Sequence, residues 1–325
     1  MKSKLGTNVQ QLRKIYEPCF VERNSSVNNL NHTTIAAIYH MMFTLTVIFT
    51  TVIFATIIEH GRMFNIYWKT LLNIKLEILD KMMLKENTVL SFWKYLSYGE
   101  KTFGIIVFVN VAIYLAWNVT KWKSTMLKYF IINEDKSNSV WSNLLSAFSH
   151  TSLWNLTANV IYLYYPLCKL GFVRAWPISI FPPYMGIEEF FVFYISACTF
   201  SSLSRIYIEP KLNISNKKSK YGASGAISAV FGYTALGFPN RKLLTIPIIV
   251  EDQLSVDITA FEALLCLFLL IVLIVFVMQF SWINSTSIIS GCIFGIFWYK
   301  LGSKIIWDNR KYLTKILENN NYIPI

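Results

Sequence analysis

The chain has 325 residues, of which 54% are apolar and 15% are charged, and its mean hydropathy is +0.43. Soluble domains carry about 25% charged residues, so this composition excludes an ordinary soluble globular protein and predicts an integral membrane protein. Lys and Arg are scattered between the apolar segments, so the net charge of +12 predicts no nucleic-acid partner.

Seven segments are apolar enough to cross a bilayer, whose hydrocarbon core requires about 17 to 25 such residues in a helix. The first has no charged residue, and the long sixth segment has only Glu262, near its start. The predicted spans are 34–58, 103–119, 153–170, 187–206, 223–238, 258–280 and 283–300.

The spans are unevenly spaced, because a long segment separates the first from the other six. We therefore predict an all-α polytopic membrane protein in which one extra transmembrane helix precedes a six-helix core (1+6). Within the separating segment, Leu72, Leu76 and Leu79 recur at helical spacing, which favours a helix lying along the membrane interface or a plain surface helix. The predicted regions are a polar amino-terminal tail (1–33), the extra helix (34–58), an amphipathic linker (59–102), the core (103–303) and a basic amphipathic carboxy-terminal tail (304–325).

Polar side chains are concentrated at the start of the third predicted span. His150 is followed by Asn155 and Asn159, which lie four residues apart and so share one helical face. Polar groups are costly inside a membrane. The stripe therefore indicates either hydrogen bonding between helices or a functional cavity.

Small residues surround one serine in the stretch YGASGA, where Gly222, Gly225 and Ala226 flank Ser224. A later segment carries Gly291 and Gly295 in a G-x-x-x-G pattern, also suited to close helix packing. The small residues predict two helices in close contact. Ser224 is then either a packing residue or a nucleophile.

Taken together, the H-x4-N-x3-N stretch, the GASGA motif and the final G-x-x-x-G resemble the rhomboid intramembrane serine proteases, and more narrowly their presenilin-associated, mitochondrial branch. Stretches such as SFWKYLSYGEKT, FSHTSLWNLTAN and GCIFGIFWYKLG follow in that branch's order from about 91 to 318. The resemblance implies the 1+6 arrangement, a serine–histidine dyad inside the membrane, and transmembrane substrates. It also implies a location in the mitochondrial inner membrane. We expect no metal and no cofactor.

The dyad implied by the resemblance is incomplete in this chain. The nucleophile position matches Ser224, but the histidine position, three residues before Gly291, holds Ile288. An isoleucine cannot accept a proton. The chain's four histidines are His32, His40, His60 and His150, so nothing after residue 150 supplies an imidazole.

The oxyanion side of the implied site is altered less. His150 and Asn159 match the family's histidine and asparagine, while Asn155 stands where many members have a second histidine. An asparagine amide and the backbone N–H of Ser224 are still able to donate hydrogen bonds to an oxyanion.

These features predict a catalytically impaired pseudoprotease that binds transmembrane segments of client proteins within the lipid bilayer. The alternative is an active intramembrane endopeptidase with a non-standard base, for which His150 is the nearest candidate. A channel or transporter without proteolytic ancestry would show internal repeats or converging charges, and we find neither in the sequence.

Overall fold

A computed structural model describes residues 35–63, 93, 95–132, 139–150, 152–175, 183–208, 222–249, 254–272 and 285–308. The helices are α1 Ile35–Met63, α2 Tyr98–Trp117, α3 Lys123–Tyr129, α4 Ser142–Leu145, α5 Leu153–Tyr164, α6 Ile187–Tyr207, α7 Ser224–Gly237, α8 Ala260–Val272 and α9 Ser285–Phe297. Two of them, α5 and α9, continue as π-helical turns over Tyr165–Leu170 and Trp298–Trp307. The predicted amino-terminal tail, and most of the predicted linker and carboxy-terminal tail, lie outside the described residues.

Three helices in the described part of the chain are long and apolar enough to cross a membrane: Ile35–Met63, Tyr98–Trp117 and Thr286–Trp307. They confirm a multi-pass membrane protein. The other predicted spans correspond to shorter or more polar helices, such as the 14-residue α7, so the complete 1+6 arrangement stays a prediction. Two compact units divide the chain, Met1–Phe43 and Thr44–Ile325, and every contact described below lies within the second.

The start of α2 is defined by its sequence. Ser97 precedes the helix and Glu100 follows three residues later, forming a capping box. The Ser97 hydroxyl accepts from the Glu100 amide at 3.2 Å, and the Glu100 carboxylate accepts from the Ser97 amide at 2.7 Å. Both bonds satisfy backbone donors that the first helical turn leaves without partners.

Among the described helices, α6 contains the largest number of buried residues, and it lies against α7 and α9. Near its start, Glu188 accepts a hydrogen bond from Nη2 of Arg62, at the end of α1, at 2.9 Å, and its other carboxylate oxygen lies 2.8 Å from Arg62 Nε in the same ion pair. The next residue, Glu189, accepts from the Ser303 hydroxyl at 2.7 Å and from the Trp298 indole at 3.4 Å. Polar side chains thus connect the first and last described helices to one end of α6.

An aromatic cluster packs α6 against α7 and α9. The ring of Phe193 lies 5.7 Å from Tyr233, 6.0 Å from Phe294 and 5.6 Å from Trp298, measured between centroids. Pairs at this spacing add about 0.5 to 1.5 kcal/mol each beyond the area they bury. The cluster holds together α6, α7 and α9, three of the four helices that contribute residues to the candidate site.

An antiparallel β-hairpin joins α7 to α8, an element absent from the predicted all-α class. Strand β1 covers Lys242–Ile249 and strand β2 covers Leu254–Thr259. Both strands are rich in β-branched residues, which favour extended backbone, and Pro247 lies at a register irregularity that tolerates its missing N–H. The sixth predicted span is therefore helical only from Ala260, where Glu262 caps the helix by accepting from the Thr259 amide at 2.8 Å.

Candidate active site

The candidate nucleophile is the first residue of α7, and a glycine turn positions it. Gly222 has φ of +115°, which is strained for any residue with a side chain. Its N–H donates to the Ser146 carbonyl at 2.9 Å, and a Cβ at this position would lie 3.5 Å from the amide nitrogen of Asn155. The turn therefore places Ser224, which is half-buried, close to the start of α5.

A hydrogen-bonded chain of three side chains lies on the α5 side of the site. The Asn159 amide nitrogen donates to Nε2 of His150 at 2.8 Å and to Oδ1 of Asn155 at 3.2 Å. Because the Asn155 oxygen is occupied as an acceptor, its own N–H groups lie on the side facing Gly222. The three residues of the polar stripe are therefore brought together, with Asn155 nearest the serine helix.

His150 has no solvent exposure in this arrangement. Burial lowers the pKa of His150 to about 4, partly offset by the backbone of Phe148. The imidazole is therefore neutral near pH 7, and since Nε2 accepts from Asn159, the ring proton resides on Nδ1.

Arg205 is a site residue that the sequence analysis missed. It lies near the end of α6 with 2% of its surface exposed, and its Nη2 donates to the Gly222 carbonyl at 3.2 Å and to the Ser224 hydroxyl oxygen at 3.3 Å. A guanidinium has five donors and no acceptor, so it cannot receive the serine proton. In sequence, a single arginine at the end of an apolar span has the usual appearance of a membrane-flanking charge.

The small residues bring α7 and α9 into backbone contact. A Cβ on Gly291 would overlap the Gly225 carbonyl oxygen, and one on Gly295 would overlap the Ala229 carbonyl oxygen. A Cβ on Gly225 would overlap the side chains of Ser201 and Ser287. Only glycine fits at the contact points between these helices.

Ile288 lies on α9 and is half-buried. Helical spacing puts it on the same face as Gly291 and Gly295, which pack on the serine helix. Ala226, on the first turn of α7, is buried. The face of α9 that packs on α7 therefore carries the alkyl side chain of Ile288.

Hydroxyl groups fill the rest of the contact between α6 and α9. The Ser204 and Ser290 hydroxyls lie 2.7 Å apart, and Ser204 also donates to the Ser201 carbonyl at 2.7 Å. The buried Ser287 hydroxyl has no hydrogen-bond partner among the described residues. None of these hydroxyls serves as a base near neutral pH.

No group of three or more metal-ligating side chains occurs within the described ranges of the chain. The polar groups described around Gly222 are the Ser224 hydroxyl, the buried Arg205 guanidinium, two amides and an imidazole.

Comparison with known proteins agrees with this architecture. The model of the Rhomboid domain family matches residues 137–305, which include α5 to α9 and thus every residue of the candidate site. The chain belongs to the rhomboid family of multi-pass membrane proteins. The resemblance of the sequence to the rhomboid family is thereby confirmed.

Among individual relatives, the human presenilin-associated rhomboid-like protein, mitochondrial, is 28% identical over 227 residues, covering 69% of this chain and 54% of the human protein. The zebrafish (Danio rerio) presenilin-associated rhomboid-like protein A, mitochondrial, is 25% identical and aligns with 77% of this chain and 60% of its own length. Rhomboid protein 1, mitochondrial, of Saccharomyces cerevisiae is 27% identical over 42% of this chain and 36% of its own length. The chain spans about half the length of the mammalian relatives.

Proposed function

We propose that this protein is a catalytically impaired rhomboid that binds the transmembrane segments of client membrane proteins without cleaving them efficiently. The observation that carries the proposal is the partner of the Ser224 hydroxyl, which is the donor-only guanidinium of Arg205. A serine hydroxyl is a weak nucleophile unless an adjacent group removes its proton. No such group contacts Ser224 in the described structure, and Ile288 occupies the position of the base implied by the family resemblance.

The expected loss of activity is large. In a serine hydrolase that lacks a triad member, the oxyanion donors and substrate binding leave a residual acceleration of about 10³ to 10⁴ over water. That residual acceleration is too small for peptide-bond cleavage at a useful rate. The hydrogen-bond donors near Ser224, by contrast, are retained.

Client binding is supported by the part of the site that remains. Asn155 presents its amide N–H groups near the start of α7, and the half-buried Ser224 lies beside it. Backbone carbonyls exposed where a client helix unwinds are acceptors that match such donors. The retained packing of α7 and α9 keeps these donors in place.

The competing proposal is an active intramembrane endopeptidase that uses His150 as its base. It is favoured by the retained serine and amides. It is opposed by the hydrogen bonds of His150, because the Nε2 lone pair that would accept the serine proton is already occupied by the Asn159 amide.

The names of the relatives support a mitochondrial location, and we propose the inner membrane with the 1+6 helix arrangement. The predicted region boundaries at 33, 58, 102 and 303 remain part of this proposal. Import into isolated mitochondria followed by carbonate extraction tests the location. Recovery of the chain in the soluble fraction would contradict it.

The catalytic proposal is tested by incubating the purified protein in lipid bilayers with a transmembrane substrate that rhomboid proteases cleave. We expect no cleavage above the level of Ser224→Ala. Cleavage by the natural chain that disappears in Ser224→Ala would overturn the proposal and would favour the endopeptidase.

Client binding is tested separately by energy transfer between the labelled protein and a fluorescent transmembrane peptide in the same bilayers. We expect Asn155→Leu to weaken binding by about tenfold, since it removes a donor and leaves client carbonyls unpaired. Trp154→Leu is the matched control, because that neighbouring side chain is 83% exposed. Equal binding by both variants and the natural chain would show that the site does not hold clients.

A further inference from the structure

The contact between Arg205 and Ser224 carries an inference that goes beyond client binding. A buried arginine is costly in a membrane protein unless its charge is used or compensated. Here the guanidinium bridges the carbonyl of the Gly222 turn and the hydroxyl of the first α7 residue, at 3.2 and 3.3 Å. It therefore touches the one atom of the site that would form a covalent bond.

We propose that Arg205 is an electrostatic partner of the group at position 224, stabilising its ionised form and thereby setting its reactivity toward electrophiles. A positive charge within about 4 to 6 Å of an ionisable group favours that group's anion. Burial strengthens the effect, since little water screens the pair. Arg205 does not accept the proton, which goes to solvent, so the residue supplies charge without supplying a base.

Other groups around the first turns of α7 do not make this contact. On the described elements packed there, α6 contributes Cys198 and Tyr207 as well as Arg205, and α9 contributes Cys292, whose thiol lies near Ser228. His150, before α5, is bonded to Asn159. In the described structure Arg205 is the group bonded to the Ser224 hydroxyl.

The test replaces the hydroxyl by a thiol, whose ionisation is measured directly. In Ser224→Cys, the thiol loses its proton to solvent, and the thiolate sulfur displaces iodide from iodoacetamide to form a carbon–sulfur bond. Alkylation of residue 224 is followed by mass spectrometry as a function of pH, which separates it from the native cysteines. We expect the rate to reach its plateau at a pH about one unit or more lower than in the double variant Ser224→Cys with Arg205→Gln.

At a fixed pH below both midpoints, a midpoint one unit higher leaves the double variant with about a tenth of the thiolate. We expect its alkylation to be about threefold or more slower, because its more basic thiolate is somewhat more nucleophilic and offsets part of that difference. Arg205→Lys in the Ser224→Cys background should fall between the two, since it keeps the charge without the planar fork. Arg174→Gln is the matched control: it removes a guanidinium that lies over the Tyr184 ring and should leave the pH profile unchanged.

An identical pH profile with and without Arg205 would overturn the inference and reduce Arg205 to a structural residue. If Arg205→Gln does not fold, the comparison is made with N-acetylcysteine in the same buffer. A plateau at a pH equal to or above that of the free thiol contradicts the inference, as does the absence of alkylation at every pH. Since no peptide is cleaved or bound in this assay, its result is independent of the proposed function.

Discussion

The two sides of the site around Ser224 differ in the chemical groups that they present. On the α5 side, Asn155, Asn159 and His150 form a continuous set of hydrogen bonds next to the Gly222 turn. On the α9 side, the glycine contacts with α7 remain, but the position of the expected base carries an alkyl side chain, Ile288. The α5 side therefore consists of hydrogen-bonded polar groups, whereas the α9 side consists of close backbone packing and an alkyl side chain.

The largest expected effect concerns the packing that both readings of the site require. In Gly291→Ala, the added methyl group would overlap the Gly225 carbonyl oxygen, which belongs to a backbone that cannot move without shifting α7. We expect the free energy of unfolding to fall by about 3 kcal/mol, measured by thermal or denaturant unfolding in detergent.

Gly104→Ala is the matched control for that substitution, because a Cβ there would meet no atom within 4 Å. It should leave stability unchanged or raise it by about 0.5 to 1 kcal/mol, the ordinary gain of alanine over glycine in a helix. Equal effects of the two substitutions would mean that α7 and α9 do not pack through their glycines.

The next effect concerns the α5 side. Asn159→Leu removes the donor to both His150 and Asn155 and leaves one buried and one partly buried acceptor without that partner. We expect a loss of about 2 kcal/mol in the free energy of unfolding. Asn118→Leu, at an exposed residue whose amide makes one long 3.4 Å bond, should change stability by less than about 0.5 kcal/mol. A neutral Asn159→Leu would contradict the hydrogen-bonded chain.

A smaller effect is the pH dependence that His150 confers. Its pKa is lowered to about 4 in the folded protein, against about 6.5 in an unfolded chain. The unfolded state therefore binds more protons as the pH falls below about 6.5, so stability decreases from there toward pH 4 and is recovered as the pH rises.

Between pH 7 and pH 5, we expect His150 to account for about 1 to 2 kcal/mol of this decrease. The measurement is the difference between the unfolding curves of the natural chain and His150→Gln at each pH, which cancels the titration of other groups. Parallel pH profiles would show that His150 is not held in its neutral form.

Much of the fold was predictable, because long apolar segments must become helices once no water is available to their backbone groups. The shared face of Asn155 and Asn159 followed from helical spacing alone. The β-hairpin was not predicted, since its strands lie mostly between the predicted spans, where hydropathy carries no periodic signal. Ile288 was singled out only through the family resemblance, because its local sequence does not distinguish it from other apolar residues.

The contact between Arg205 and Ser224 could not be predicted from the sequence, for a physical reason. Its contact with Ser224 joins residues 19 positions apart, and the contact depends on the glycine turn at Gly222 and on the way α6 packs beside α7. Neither the turn nor the packing angle is encoded in a pattern of apolar and polar residues. A charged residue at the end of a span has the same sequence signature whether it points to lipid headgroups or to a buried hydroxyl.

The central claim is that Ser224 lacks only a proton acceptor on the α9 side. The most direct measurement is cleavage of a rhomboid-susceptible transmembrane substrate by Ile288→His, run beside the natural chain and the double variant Ile288→His with Ser224→Ala. We expect cleavage by Ile288→His alone. A folded Ile288→His that remains inactive, or a natural chain that already cleaves through Ser224, would contradict it.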